Sequence, residues 1–101
     1  MKAYTGIRTP YGALVTTPEG HSLPLRLDLR DHSPTGFEWG YEGSGPAQLA
    51  LALIAHCIND DVAEECYQDF KQKVIAALPD EWSMTPEQIT DAIDEILADR
   101  G

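Results

Sequence analysis

An α+β fold is predicted for this 101-residue chain: a small antiparallel sheet of three to four strands, followed by three α-helices packed on one of its faces. Three observations predict it. Residues 1–42 read as short extended runs separated by turn residues. Within them, Leu23, Leu25, Leu27 and Leu29 fall at every second position. Residues 45–101 instead carry three stretches with helical spacing and recognisable start and stop signals.

Lys2 to Arg8 is the first expected strand, Tyr11-Gly12 a turn, and Ala13 to Thr17 the second strand. Pro18-Glu19-Gly20 supplies turn chemistry, with glycine available for a positive φ. The leucine run is the expected third strand. Its period of two puts all four leucines on one buried face and Arg26, Asp28 and Arg30 in solvent. Pro24 donates no ladder hydrogen bond and belongs at a strand start or an edge. Gly36-Phe37-Glu38-Trp39-Gly40-Tyr41 is expected as a fourth strand or extended segment, with its three rings sharing a face.

Gly43-Ser44-Gly45-Pro46 then breaks the chain and opens a helix, with Pro46 at its first position, where a missing N–H is harmless. Ala47 to Ile58 is apolar nearly all round, which marks a central buried helix. Asn59-Asp60-Asp61 ends it and caps the second helix, Val62 to Leu78, with Asp61 and Glu64 matching an acidic capping box; the stripe of that helix is Val62, Cys66, Phe70, Val74 and Leu78. Pro79-Asp80 stops it. The third helix starts at Thr85-Pro86-Glu87-Gln88, with Thr85 and Gln88 as a capping box and Met84 and Ile89 as the hydrophobic staple. Its buried stripe is Ile89, Ile93, Ile96 and Leu97.

Length allows one domain, 1–101, with one modest core. The longest apolar run, Leu49 to Ala55, is too short to span a membrane, and the start of the chain has no apolar signal segment. Two cysteines make no disulfide framework, so a reducing, cytoplasmic setting is expected, the host cytoplasm if the protein is phage-encoded. Charge is the informative bulk property. The chain holds 7 basic and 17 acidic residues, net −10. Residues 1–40 carry four of each sign, so 41–101 carry the whole excess, thirteen acids against three bases. Such a surface repels nucleic acid and attracts basic surfaces, including those that hold DNA or RNA.

The string GFEWGYEGSGPAQLALA (Gly36 to Ala52), with the leucine run before it and with Tyr67, Phe70 and Ile75-Ala76-Ala77-Leu78-Pro79 after it, resembles an uncharacterised family of small proteins. These occur in bacteria, archaea, phages and other mobile elements. The family pattern favours glycine where this chain has Glu42. The resemblance implies a fold and a mobile-element origin, and no catalytic residues.

Chemical motifs are sparse. Gly43-Ser44-Gly45-Pro46 could present N–H groups to an anion, but it lacks the phosphate-loop spacing and lysine, and Glu42 would repel phosphate; a tight connection is the better reading. His56 and Cys57 point about 100° apart on a helix and have no second ligand pair, so no metal is expected. Neither Cys57 nor Cys66 has an electropositive setting that would make a nucleophile, and Cys66 is expected in the core. Paired carboxylates such as Asp60/Asp61, Glu64/Glu65, Asp80/Glu81 and Asp94/Glu95 fall on outward faces or loops, not where acid–base catalysis needs them.

The chain is therefore expected to be no enzyme, to need no cofactor, and to bind neither nucleic acid nor membrane directly. The candidate partner-binding residues are Glu64, Glu65, Asp69, Glu87, Asp91, Asp94 and Glu95 on the second and third helices; Phe37, Trp39 and Tyr41 are first expected to complete the core beneath the buried helix, with Trp39 and Tyr41 as exposed aromatic anchors for a partner the alternative. Carboxylates one turn apart lie about 6 Å from each other, comparable to successive phosphates along a strand. An anti-CRISPR-like inhibitor that mimics nucleic acid on a basic protein surface is the leading expectation. A self-associating assembly module, including a homodimer, and a small enzyme are the alternatives.

Overall fold

The computed structural model describes residues 2–100 and has the expected α+β architecture, with one strand drawn from elsewhere in the chain. Strand β1 (Tyr4–Thr9) and strand β2 (Gly12–Thr16) form an antiparallel hairpin in which Thr5 faces Thr16 and Thr9 faces Gly12. Helix α1 (Ser44–Cys57) and helix α2 (Asp60–Lys73) follow, then a 3-10 turn at Ile75–Ala77. Strand β3 (Trp82–Met84) pairs with the start of β1, and helix α3 (Pro86–Arg100) closes the chain. The sheet order is β2-β1-β3. The third strand thus comes from inside the half that reads as helical. Three residues between Pro79 and Pro86 are too few to show a period.

The leucine run is not a strand. Leu23 is buried and its N–H donates to the Val15 carbonyl, but Arg26 then takes a left-handed φ of 58° and Leu27 is 39% exposed. Leu25 and Leu29 are half-buried. The expected common leucine face is broken because the backbone of this segment is satisfied by a side chain instead of a neighbouring strand. Gln48, fully buried on α1, donates through Nε2 to the carbonyls of Leu25 (2.6 Å) and Arg30 (3.1 Å). Its Oε1 accepts the N–H groups of His32 (2.8 Å) and Ser33 (3.1 Å). Arg26 locks the bend through Asp28 (3.0 Å) and Asp60 (2.8 Å). The Arg26 guanidinium holds the Asp28 carboxyl below its ordinary value. A carboxyl depressed in the folded chain stabilises it above the unfolded pKa and loses that contribution as pH falls through the folded one. Asp28→Asn should therefore lower stability slightly near pH 7, where that contribution is present, and flatten the fall in stability below about pH 4, so that the two proteins converge in acid, as followed by urea unfolding across pH.

Gly36 to Tyr41 is extended but belongs to no ladder. Phe37 and Trp39 point inward, whereas Gly40, with φ of 85° and its N–H on the Ile75 carbonyl (3.0 Å), turns Tyr41 outward. Helix α1 begins at Ser44, so Pro46 lies inside its first turn instead of opening it. As the composition predicts, α1 is buried almost throughout. The cap of α2 is Asn59, whose side chain accepts from the Val62 N–H (2.9 Å), not Asp61. Asp61 lies inside the helix. Helix α2 also stops at Lys73, short of Leu78; Ala63, Cys66, Tyr67 and Phe70 form its buried side.

The α3 start matches its signals. The Thr85 N–H donates to Gln88 Oε1 (2.9 Å) and the Gln88 N–H to Thr85 Oγ1 (3.1 Å). Ile89, Ile93 and Ile96 are buried, while Leu97 is 37% exposed. Thr85→Ala removes one half of this reciprocal pair and should cost about 1 kcal/mol in urea unfolding.

Candidate functional site

The seven acidic candidates separate into two groups. On α2, each is engaged by an arginine. Glu64 Oε1 accepts from Arg30 (3.1 Å), Asp69 Oδ2 accepts from Arg100 (2.7 Å), and Glu65 lies 3.9 Å from the same guanidinium. Arg100 also donates to the Glu65 backbone carbonyl at 2.7 Å. These contacts fasten the 25–33 loop and the end of α3 to α2, although exposed ion pairs each contribute little, roughly 0–1 kcal/mol. Lys73 similarly reaches Asp99 at 3.2 Å.

On α3, Glu87, Asp91, Asp94 and Glu95 are all exposed and join none of the ion pairs among the described residues. The helical period places them on a common outward sector, opposite Ile89, Ile93 and Ile96. The repulsion of like charges one turn apart is roughly a few tenths of a kcal/mol per pair. That outward sector is a continuous strip of uncompensated carboxylate.

The two aromatic candidates also part company. Trp39 is fully buried and offers no surface to a partner; it belongs to the core. It meets Trp82 edge-to-face at 5.7 Å, and the Arg8 guanidinium lies 4.6 Å from its ring centre. Arg8 further donates to the Trp39 carbonyl (2.9 Å), Glu38 (3.0 Å) and Asp80 (2.7 Å). It thereby ties β1 to two loops. The indole N–H groups of Trp39 and Trp82 are buried without a hydrogen-bond partner. Tyr41 is 51% exposed and lies apart from the core.

His56 and Cys57 belong to a different constellation. The buried Tyr4 hydroxyl and His56 Nδ1 are hydrogen-bonded at 2.7 Å, and the rings meet edge-to-face. The Cys57 thiol donates to the Pro86 carbonyl at 3.6 Å. Burial pushes the Cys57 thiol up, away from thiolate and so from nucleophilic reactivity. Burial raises the Tyr4 hydroxyl as well. Cys66 is a fully buried core residue, as its place on the α2 stripe predicts. Among the described residues, no three His, Cys, Asp or Glu side chains are placed to hold a metal ion. No helix is long and apolar enough to cross a membrane.

Sequence reasoning missed three features. Gln48 carries no signal because a lone glutamine inside an apolar helix matches no motif. Arg8 draws its partners from residues 38, 39 and 80, which only the fold brings together. The third is the outward side of the sheet, where an open hollow of about 350 Å³ lies among Thr5, Gly6, Ile7, Glu81, Trp82 and Ser83.

No curated protein and no solved structure matches this chain. The model of a family of unknown function (DUF6166) matches residues 4–95, nearly the whole chain, and the protein belongs to that family.

Proposed function

We propose that this protein is a small acidic, non-enzymatic binding module that docks through the outward face of α3 onto a basic, nucleic-acid-handling surface of a partner protein. The observation that supports this reading is the contrast between the helices. The α2 carboxylates are held by arginines, whereas Glu87, Asp91, Asp94 and Glu95 are exposed and outside every ion pair of the described residues. Carboxylates without internal partners keep their full attraction for an external cation, and a row of them raises the local concentration of a basic partner. The resemblance to proteins of phages and mobile elements favours a host nucleic-acid complex as target, in the manner of an anti-CRISPR inhibitor acting in the host cytoplasm.

The test is capture from a bacterial lysate rich in defence systems, using the tagged protein beside a Glu87→Lys/Asp91→Lys/Asp94→Lys/Glu95→Lys variant. Nucleic-acid-binding proteins should be retained at low salt, released at high salt, displaced by added DNA or RNA, and absent from the variant. Recovery of the bait alone, or equal retention by the variant, removes this reading.

A further inference from the structure

The chain between Leu23 and Phe37 is fastened to the rest of the fold by side chains. Leu23 and Phe37 are buried and mark its ends. None of residues 24–36 between them is buried, and none lies in a helix or strand. Among the described residues, the one main-chain hydrogen bond within this segment is internal, from the Leu29 N–H to the Arg26 carbonyl at 3.1 Å. The other polar ties come from α1 and α2. Four main-chain groups, at Leu25, Arg30, His32 and Ser33, converge on the single Gln48 amide. Arg26 grips both carboxylate oxygens of Asp60 (3.0 and 2.8 Å), Arg30 reaches Glu64, and His32 Nε2 meets the Tyr67 hydroxyl at 2.9 Å. At the far end, Gly36 takes a φ of 147° with open space where a Cβ would stand, which makes it a free pivot.

We propose that residues 24–36 form a strap that opens as one unit while the sheet and helices stay folded, uncovering Gln48 on α1. Opening gives up little apolar burial, because Leu25 and Leu29 are the strap residues packed on the core and each is half-buried. It also frees Arg26 from a left-handed φ of 58°. It is all-or-none because one amide serves four strap groups. The strap cannot lift the Leu25 and Arg30 carbonyls off Gln48 without disturbing the His32 and Ser33 N–H groups on the same amide. Charge sets how often it opens. The Arg26–Asp60 and Arg30–Glu64 pairs are partly exposed, so salt screens them. Ionic strength therefore loosens the strap, and it does so whether or not α3 docks a partner.

Hydrogen exchange followed by NMR tests this on the full chain, in NaCl of about 10 mM and about 1 M, where the screening length falls from about 30 Å to about 3 Å. Two sets of protons report on the strap: the backbone amides of His32 and Ser33, and the Gln48 side-chain amide protons held by Leu25 and Arg30. Both sets should share one protection factor within about threefold, at least about a hundredfold below that of the amides in the middle of α1. The higher salt should lower it about two- to fivefold. Arg26→Gln/Arg30→Gln should lower it about three- to tenfold in the lower salt and remove the salt response. Thr85→Ala, which weakens the distant α3 cap, should lower the protection of α1 about fivefold and leave the strap unchanged. Strap protection that falls with α1 in Thr85→Ala overturns the proposal, as do unequal factors for the two sets of protons or a strap that salt does not loosen.

Discussion

Replacing Gln48 with leucine is expected to destabilise the protein by about 3–5 kcal/mol, because four backbone groups lose their partner at once. The Gln48 amide is fully buried and saturated: two donated hydrogen bonds to Leu25 and Arg30, two accepted from His32 and Ser33. Leucine has similar bulk and fills the space, so the loss isolates the polar contribution. Each orphaned buried group costs about 1–3 kcal/mol, reduced where the loop opens to water. A domain of this size has a total stability of roughly 5–15 kcal/mol, so the variant should be marginal. Urea unfolding gives the magnitude, and amide hydrogen exchange gives the location. The His32 and Ser33 amides should lose protection before the amides of α1. A cost under about 1 kcal/mol would show that the loop is held by something other than Gln48.

Adding a single methyl group at Gly6 should be nearly as damaging. Gly6 lies opposite Trp82 in the β1–β3 ladder, and the Trp82 indole lies across it. A Cβ on Gly6 would fall 2.3 Å from Cε2 and Nε1 of that ring, inside any permissible contact. The ring is also held edge-to-face against the fully buried Trp39, whose own ring the Arg8 guanidinium approaches to 4.6 Å. Overpacking of this kind costs about 1–3 kcal/mol or more, and a rigid aromatic neighbour places Gly6→Ala at the upper end. Trp82→Ala alone should cost about 3–5 kcal/mol by leaving a cavity. The double variant should cost clearly less than the sum, since removing the ring makes room for the methyl. Strict additivity in that cycle would mean that the two residues do not share this space.

The helical half was the more legible, and the reason is local. An α3 start needs only residues 84–89, and the Thr85–Gln88 box is present as spelled out. The burial of α1 follows from its composition, and the place of Cys66 and Phe70 follows from a four-residue step. The sheet was less legible because pairing is a relation between distant segments. The leucine alternation satisfies every local criterion for a strand, yet Leu25 and Arg30 give their carbonyls to Gln48, 18 to 23 positions away. Conversely, Trp82–Met84 becomes a strand only because β1 offers it an edge.

The candidate surface divides along the same line. Periodicity alone places Glu87, Asp91, Asp94 and Glu95 outward, since their helix must bury its isoleucines. It equally places Glu64, Glu65 and Asp69 outward. Only the fold brings Arg30 and Arg100 against those three and leaves the α3 carboxylates outside the ion pairs of the described residues. Trp39 and Tyr41 share a strand parity, but Gly40 bends the chain between them, so one enters the core and the other faces solvent.

By itself the sequence determined the α+β class, the three helices, the buried α1 and the concentration of acid in the second half. These are consequences of composition and short-range spacing, which act within a few residues. Tertiary structure decided which segment became the third strand, which carboxylates kept their charge unopposed, and that one face of the sheet stayed bare. Each of those depends on which distant donor, cation or ring arrives at a given place, and a hydrogen bond or ion pair across the chain has no local periodicity to announce it.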